Sequence, residues 1–291
     1  MLTPLMFLML LLTSVLHAEL KVVATLPDLA DFARIVGGDR VTVDQIVRGD
    51  QNPHFVEVKP SYMIKLKSAN ILLTVGMDLE MWAPQIVDGS RNRDLDVVDL
   101  SHDITKLEVP ARVDASLGDV HRYGNPHYWL DPRNVRPIMN EIIAAFARAA
   151  PEDEQYFRQN AETYLKTLDA KIASWEERMK PYAGANVVTF HKSWSYFMAW
   201  LHITVADQVE PKPGIQPSPS HTAALIQLVR NGNIRAIIVE PFYDTSAPEQ
   251  IARSTTAKVI RMTTSVGGVE GTGTYIAMMD YNIATLEAAL K

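Results

Sequence analysis

Short β-rich runs alternate with amphipathic segments along most of this chain, which is the pattern of an α/β protein. Val22-Val23-Ala24-Thr25 predicts a strand, and Leu29 to Val36 a helix closed by Gly37-Gly38. A second strand is expected over Val41 to Val47, then a loop from Arg48 to Lys59. Pro60 to Ser68 reads as a helix and Ile71 to Gly76 as a buried strand. Such near-continuous apolar runs suit parallel strands covered on both faces.

The second half repeats this order. Asn186 to Phe190 predicts a strand, Ser193 to Leu201 a helix and Ile203 to Val209 a strand. After the Pro-rich loop Glu210 to Pro219 come a helix, Ser220 to Val229, and a strand, Ile234 to Val239. Two similar α/β lobes with parallel sheets follow from the repeat. Between them Phe157, Ala161, Tyr164, Leu168, Ile172, Trp175 and Met179 recur every three or four positions up to Pro181. That is one apolar stripe on a helix about 40 Å long. Burying it takes both lobes, so it predicts a rigid spine.

The first eighteen residues stand apart. They contain no Asp, Glu, Lys or Arg, and Leu5 to Leu12 is unbroken apolar sequence. The segment ends Leu16-His17-Ala18, a weak form of the small-residue cleavage pattern of export signals. The expected organisation is a signal peptide over 1–18, an N-terminal α/β lobe over 19–150, a connecting helix over 151–182 and a C-terminal α/β lobe over 183–291. No later stretch is apolar for long enough to span a bilayer.

Composition narrows the chemistry. The 291 residues carry 34 acidic against 28 basic side chains, a net charge of −6, which argues against a nucleic-acid partner. There is no cysteine, so disulfides, thiolate metal sites and cysteine nucleophiles are excluded, as is a lipid anchor on a cysteine thioether. A borderline metal would have to be held by histidine and carboxylates.

Three of the eight histidines fall in loops or at strand ends, where α/β folds place ligands. His54 lies in Gln51-Asn52-Pro53-His54-Phe55-Val56-Glu57, and His127 in Asn125-Pro126-His127-Tyr128-Trp129-Leu130-Asp131-Pro132. The third, His191, directly follows the strand ending at Phe190. They are too far apart for a local motif, so a shared site must be assembled between the lobes. Singly, each loop histidine is more often solvated or capping. Two occurrences of Asn-Pro-His weigh against that, because the proline stiffens the backbone and helps aim the ring. Of the others, His17 lies in the leader, His202 precedes a strand and His221 opens a helix. His102 and His121 sit in the polar stretch 101–124, where a solvated or metal-recruiting role is expected rather than a place in a fixed site.

Taken together, these motifs resemble the solute-binding proteins of zinc and manganese ABC importers, the zinc-uptake and TroA-like family. Further matching stretches are Gly76-Met77-Asp78-Leu79-Glu80-x-Trp82, Phe190-His191-x-Ser193-Trp194-x-Tyr196 and Thr274-Tyr275-Ile276-x-Met278-Met279. The resemblance implies two α/β lobes joined by a rigid helix, with one metal ion in the interlobe cleft. It carries the ligand role onto His54, His127 and His191. The family often adds an Asp shortly before a Gly late in the chain, but Arg261-Met262-Thr263-Thr264-Ser265-Val266-Gly267 has none. Glu240 is the nearest substitute, either as ligand or as an acceptor that orients a histidine. Water is the other candidate. A His-rich loop before the second ligand is replaced here by Asp114, Asp119 and His121.

Three imidazoles with at most one oxygen suit zinc; manganese is the second choice. Metal release is expected as pH falls through about 6. The implied partner is an ABC permease, and the expected carrier is monomeric, periplasmic, soluble after signal removal and without a lipid anchor. A zinc hydrolase with Glu240 as general base is the rival reading, and a metallochaperone or adhesin is the third.

Overall fold

The computed structural model describes residues 19–111, 121–212 and 214–291. Residues 1–18, expected as a signal peptide, and Asp114 and Asp119 lie outside the described residues. The N-terminal lobe is built from β1 (Leu20–Ala24), α1 (Pro27–Gly37), β2 (Val41–Gln45), α2 (Pro60–Lys67), β3 (Ile71–Thr74), α3 (Ala83–Ser90) and β4 (Asp96–Asp99). Two long helices follow, α4 (Val135–Ala149) and α5 (Glu154–Met179). The C-terminal lobe contains β5 (Asn186–Thr189), α6 (Ser195–Trp200), β6 (Thr204–Gln208), α7 (Pro219–Asn231), β7 (Ala236–Val239), α8 (Ser246–Arg253), β8 (Lys258–Arg261) and α9 (Tyr275–Leu290).

Both sheets are four-stranded and wholly parallel, with the same connectivity: β2-β1-β3-β4 and β6-β5-β7-β8. The predicted repeat is therefore a repeat of topology. The central strands β3 and β7 are buried at every position, which is why they read as unbroken apolar runs. Each sheet ends in a strand that hydropathy alone did not reveal. In β4 (DVVD) and β8 (KVIR) only two apolar residues stand between charged ones. These are edge strands with one neighbour each, so their apolar demand is small.

Alternating side chains of each sheet serve two different cores. Outward-facing Val23, Leu72 and Ile46 pack with Leu66, Trp82 and Ile86 under α2 and α3. Val188, Ile237 and Val239 pack with Leu225, Val229 and Ile251 under α7 and α8. The inner faces share one continuous core that runs from Val22, Leu73 and Phe32 through α4 and α5 to Trp194, Ile238 and Leu286.

Helix α5 is the expected spine, 26 residues long. It buries Phe157, Ala161, Leu165, Leu168, Trp175 and Met179, while Tyr164 and Ile172 are half-buried at the margin. Its first half packs on α1 and α4 and its second half on α9, so one helix belongs to both lobes. Trp175 donates to Asp280 Oδ1 on α9 at 2.8 Å, and Lys171 pairs with the same carboxylate at 2.7 Å. None of the described helices is long and apolar enough to cross a membrane.

Candidate metal centre

His54 stands on the loop between β2 and α2, His127 on the segment that leads toward α4, and His191 two residues past the end of β5. The two Asn-Pro-His stretches fold in the same way. The Asn52 carboxamide oxygen accepts from His54 N–H at 3.0 Å, and that of Asn125 accepts from His127 N–H at 3.0 Å. In each, an Asn side chain closes a tight local turn and fixes the direction in which the imidazole leaves the backbone.

Each turn is anchored from outside. Trp82 Nε1 donates to the Pro53 carbonyl at 2.9 Å. Just before Trp82, buried Glu80 accepts from Thr25 Oγ1, Val75 N–H and Gly76 N–H, and burial pushes its carboxyl up to about 7. The diversion of Val75 and Gly76 to this carboxylate explains why β3 stops at Thr74. Beside His127, Tyr128 donates to the Val75 carbonyl in the N-terminal lobe, at 2.8 Å. Trp129 donates to the Thr264 carbonyl in the C-terminal lobe, also at 2.8 Å. Successive aromatic residues thus hold the His127 segment between the lobes.

The three histidines converge. One ligand-capable atom from each lies within 4.8 Å of the others, and the His54 and His127 Nε2 atoms are 3.2 Å apart. In a tetrahedral zinc site with nitrogen ligands at about 2.0–2.1 Å, two such nitrogens stand about 3.3–3.4 Å apart. The pair therefore already has ligand spacing, and the third imidazole needs only a small inward shift.

Hydrogen bonds at Nδ1 decide which nitrogen faces the cleft. Asn125 Nδ2 donates to Glu108 Oε2 at 2.9 Å and to the Lys192 carbonyl at 2.8 Å, so its oxygen faces His127. His127 Nδ1 is 2.9 Å from that oxygen and must carry the proton, which leaves Nε2 as the electron-pair donor. His191 Nδ1 lies 2.6 Å from Glu210 Oε2 and is protonated for the same reason. Glu210, itself buried, is fixed in turn by Gly214 N–H, which donates to its other oxygen.

Glu210 is a candidate site residue that the sequence does not reveal. Its position at the start of a Pro-rich loop gave no sign that it folds back onto a strand-end histidine. A carboxylate on the far nitrogen holds the ring's tautomer and orientation. The Glu210→Gln variant is expected to bind metal about 10–100-fold more weakly while remaining folded. Calorimetric titration checks this, and an unchanged affinity would remove Glu210 from the site.

Glu240 stands outside the convergent trio. It is fully buried just beyond β7, accepts from Trp194 Nε1 at 3.0 Å and lies within electrostatic range of His191. Burial pushes its carboxyl up to about 7, with the neighbouring His191 acting against that. The same burial holds His54 and His127 well below the ordinary imidazole value, reinforced by the other histidines of the cluster. Their rings stay neutral and ready to bind in water at neutral pH.

Comparison with known proteins adds the decisive observation. The profile of the family described as "Zinc-uptake complex component A periplasmic" matches residues 22–289. The chain belongs to that family. Members are solute-binding proteins of metal ABC importers and not enzymes, so the hydrolase reading falls. The manganese-binding lipoprotein MntA of Halalkalibacterium halodurans is 25% identical over 278 residues, covering 94% of this chain and 89% of its own. The zinc-binding lipoprotein AdcA of Streptococcus pneumoniae is 20% identical over 281 residues, covering 92% of this chain and 55% of its own. A crystal structure of ZnuA superposes with a TM-score of 0.82 at 21% identity, covering 94% of this chain and all of that one. This last similarity establishes the fold.

Proposed function

We propose that this protein captures one zinc ion through the Nε2 atoms of His54, His127 and His191 and delivers it, outside the cytoplasm, to an ABC-type permease. The observation that carries the reading is the convergence of three imidazoles, two of them with Nδ1 tied to an acceptor so that Nε2 points inward. No carboxylate joins the described trio within the same 4.8 Å, and an all-nitrogen set suits zinc better than manganese, which prefers more oxygen. In this reading Glu240 is not a ligand but a buried neighbour of His191, held by the Trp194 indole. Relatives named for either metal make the choice worth testing directly. Competition between zinc and manganese for the metal-free protein is expected to favour zinc by several orders of magnitude, and preferential retention of manganese would overturn the assignment.

The pH response follows from the same burial. Binding requires neutral rings, and a ring with a lowered pKa stays neutral further into acid. Zinc release is therefore expected below the value of about 6 anticipated for ordinary imidazoles. The metal-free protein should show the linked effect. As pH drops below about 6.5 the unfolded chain takes up protons that folded His54 and His127 refuse, so stability falls from there downward. Zinc occupancy measured against pH tests the first point. A midpoint at or above about 6.5 contradicts it, and full retention at about pH 4.5 contradicts an all-imidazole set.

A further inference from the structure

We infer that His121, beside His54, supplies a fourth imidazole, so that the bound ion sits among four nitrogens. This rests on the three-histidine reading and extends it. The His121 ring centroid lies 5.0 Å from that of His54. That is no farther than the rings of the two partners already assigned, His127 at 5.2 Å and His191 at 5.3 Å. His121 is also close enough to act electrostatically on both His54 and His127. Its ring is outside the trio whose nitrogens fall within 4.8 Å, so ligation requires the side chain to rotate toward the ion.

The backbone that presents His121 is built for a fixed position. Gly124 N–H donates to the His121 carbonyl at 3.2 Å, closing a turn, and Gly124 holds a φ of +106°. A Cβ there would meet the Leu107 carbonyl at 2.7 Å, so the turn needs glycine. On one side of the turn Arg122 pairs with Asp78 at 2.8 Å. On the other, Asn125 N–H donates to the Leu107 carbonyl at 2.8 Å. Arg122 and Asn125 thus tie the turn to the N-terminal lobe, with the imidazole beside the ring of His54. A nitrogen in this position takes the place that water or a carboxylate would otherwise fill, and it disfavours metals that prefer oxygen.

X-ray absorption at the zinc edge of the full-length zinc-loaded protein counts the imidazoles. Four are expected in the wild type and three plus an oxygen in His121→Ala, with zinc affinity at least about tenfold weaker in the variant. His127→Ala serves as the parallel measurement. Loss of zinc in His127→Ala together with three imidazoles and unchanged affinity in both wild type and His121→Ala overturns this inference alone. Wild-type affinity in His127→Ala would instead overturn the three-histidine reading beneath it.

Discussion

Replacing His191 with alanine is expected to weaken zinc binding by about 10²–10³-fold. Four-ligand zinc sites in small domains are worth about 10–16 kcal/mol, so one ligand accounts for roughly 3–4 kcal/mol. His191 is the largest loss of the three because it is the C-terminal lobe's contribution to a site otherwise built on the N-terminal side. Removing it also leaves Glu210 buried with one oxygen deprived of its donor, while Gly214 still serves the other. A buried acceptor left unpaired costs about 1–3 kcal/mol, so the metal-free variant should also melt earlier. Calorimetric titration of metal-free protein, with circular dichroism to confirm folding, measures both effects. A folded variant with zinc affinity within about threefold of wild type would exclude His191 as a ligand.

The second large effect is structural. Trp129→Ala is expected to destabilise the metal-free protein by about 3–5 kcal/mol, the range for removing a large buried aromatic side chain. Trp129 is completely buried and lies 5.4 Å, centroid to centroid, from the His127 ring. Its indole donates to the Thr264 carbonyl, and its own carbonyl accepts from Tyr275 at 2.6 Å. The alanine variant leaves a cavity where the lobes meet and an unpaired carbonyl at Thr264. Urea denaturation should show a lower midpoint with an unchanged slope. A loss below about 1 kcal/mol would mean that the surrounding side chains collapse into the space. Trp129→Phe should recover part of the loss, since it restores ring volume but not the hydrogen bond.

Hydropathy made the central parts of this fold legible and the edges obscure, for a physical reason. Strands buried on both faces must be apolar throughout, so β3 and β7 announce themselves. The edge strands β4 and β8 need only one or two apolar side chains, and their charged ends made them resemble loops. The spine showed clearly because 26 residues of helix with one stripe leave a long periodic record. Among the site residues, the repeated Asn-Pro-His drew attention to two histidines before any distance was known. In both turns the asparagine carboxamide closes the backbone that the proline stiffens. Glu210 and His121 were not recognisable as parts of one cluster. Their proximity to distant histidines is a property of chain packing, and neither carries a local pattern that records it.

Asn125 joins two things that are usually separate. The same carboxamide fixes the His127 ring through its oxygen and, through its nitrogen, reaches the Lys192 carbonyl and Ser195 Oγ beyond β5. Pulling the lobes apart at this point must disturb the ring, and filling the site must strengthen the tie. Thermodynamic reciprocity then requires that whatever factor the metal adds to lobe contact, forced separation subtracts from metal affinity. A membrane partner that grips both lobes and strains them apart could thus empty the site without touching a single ligand.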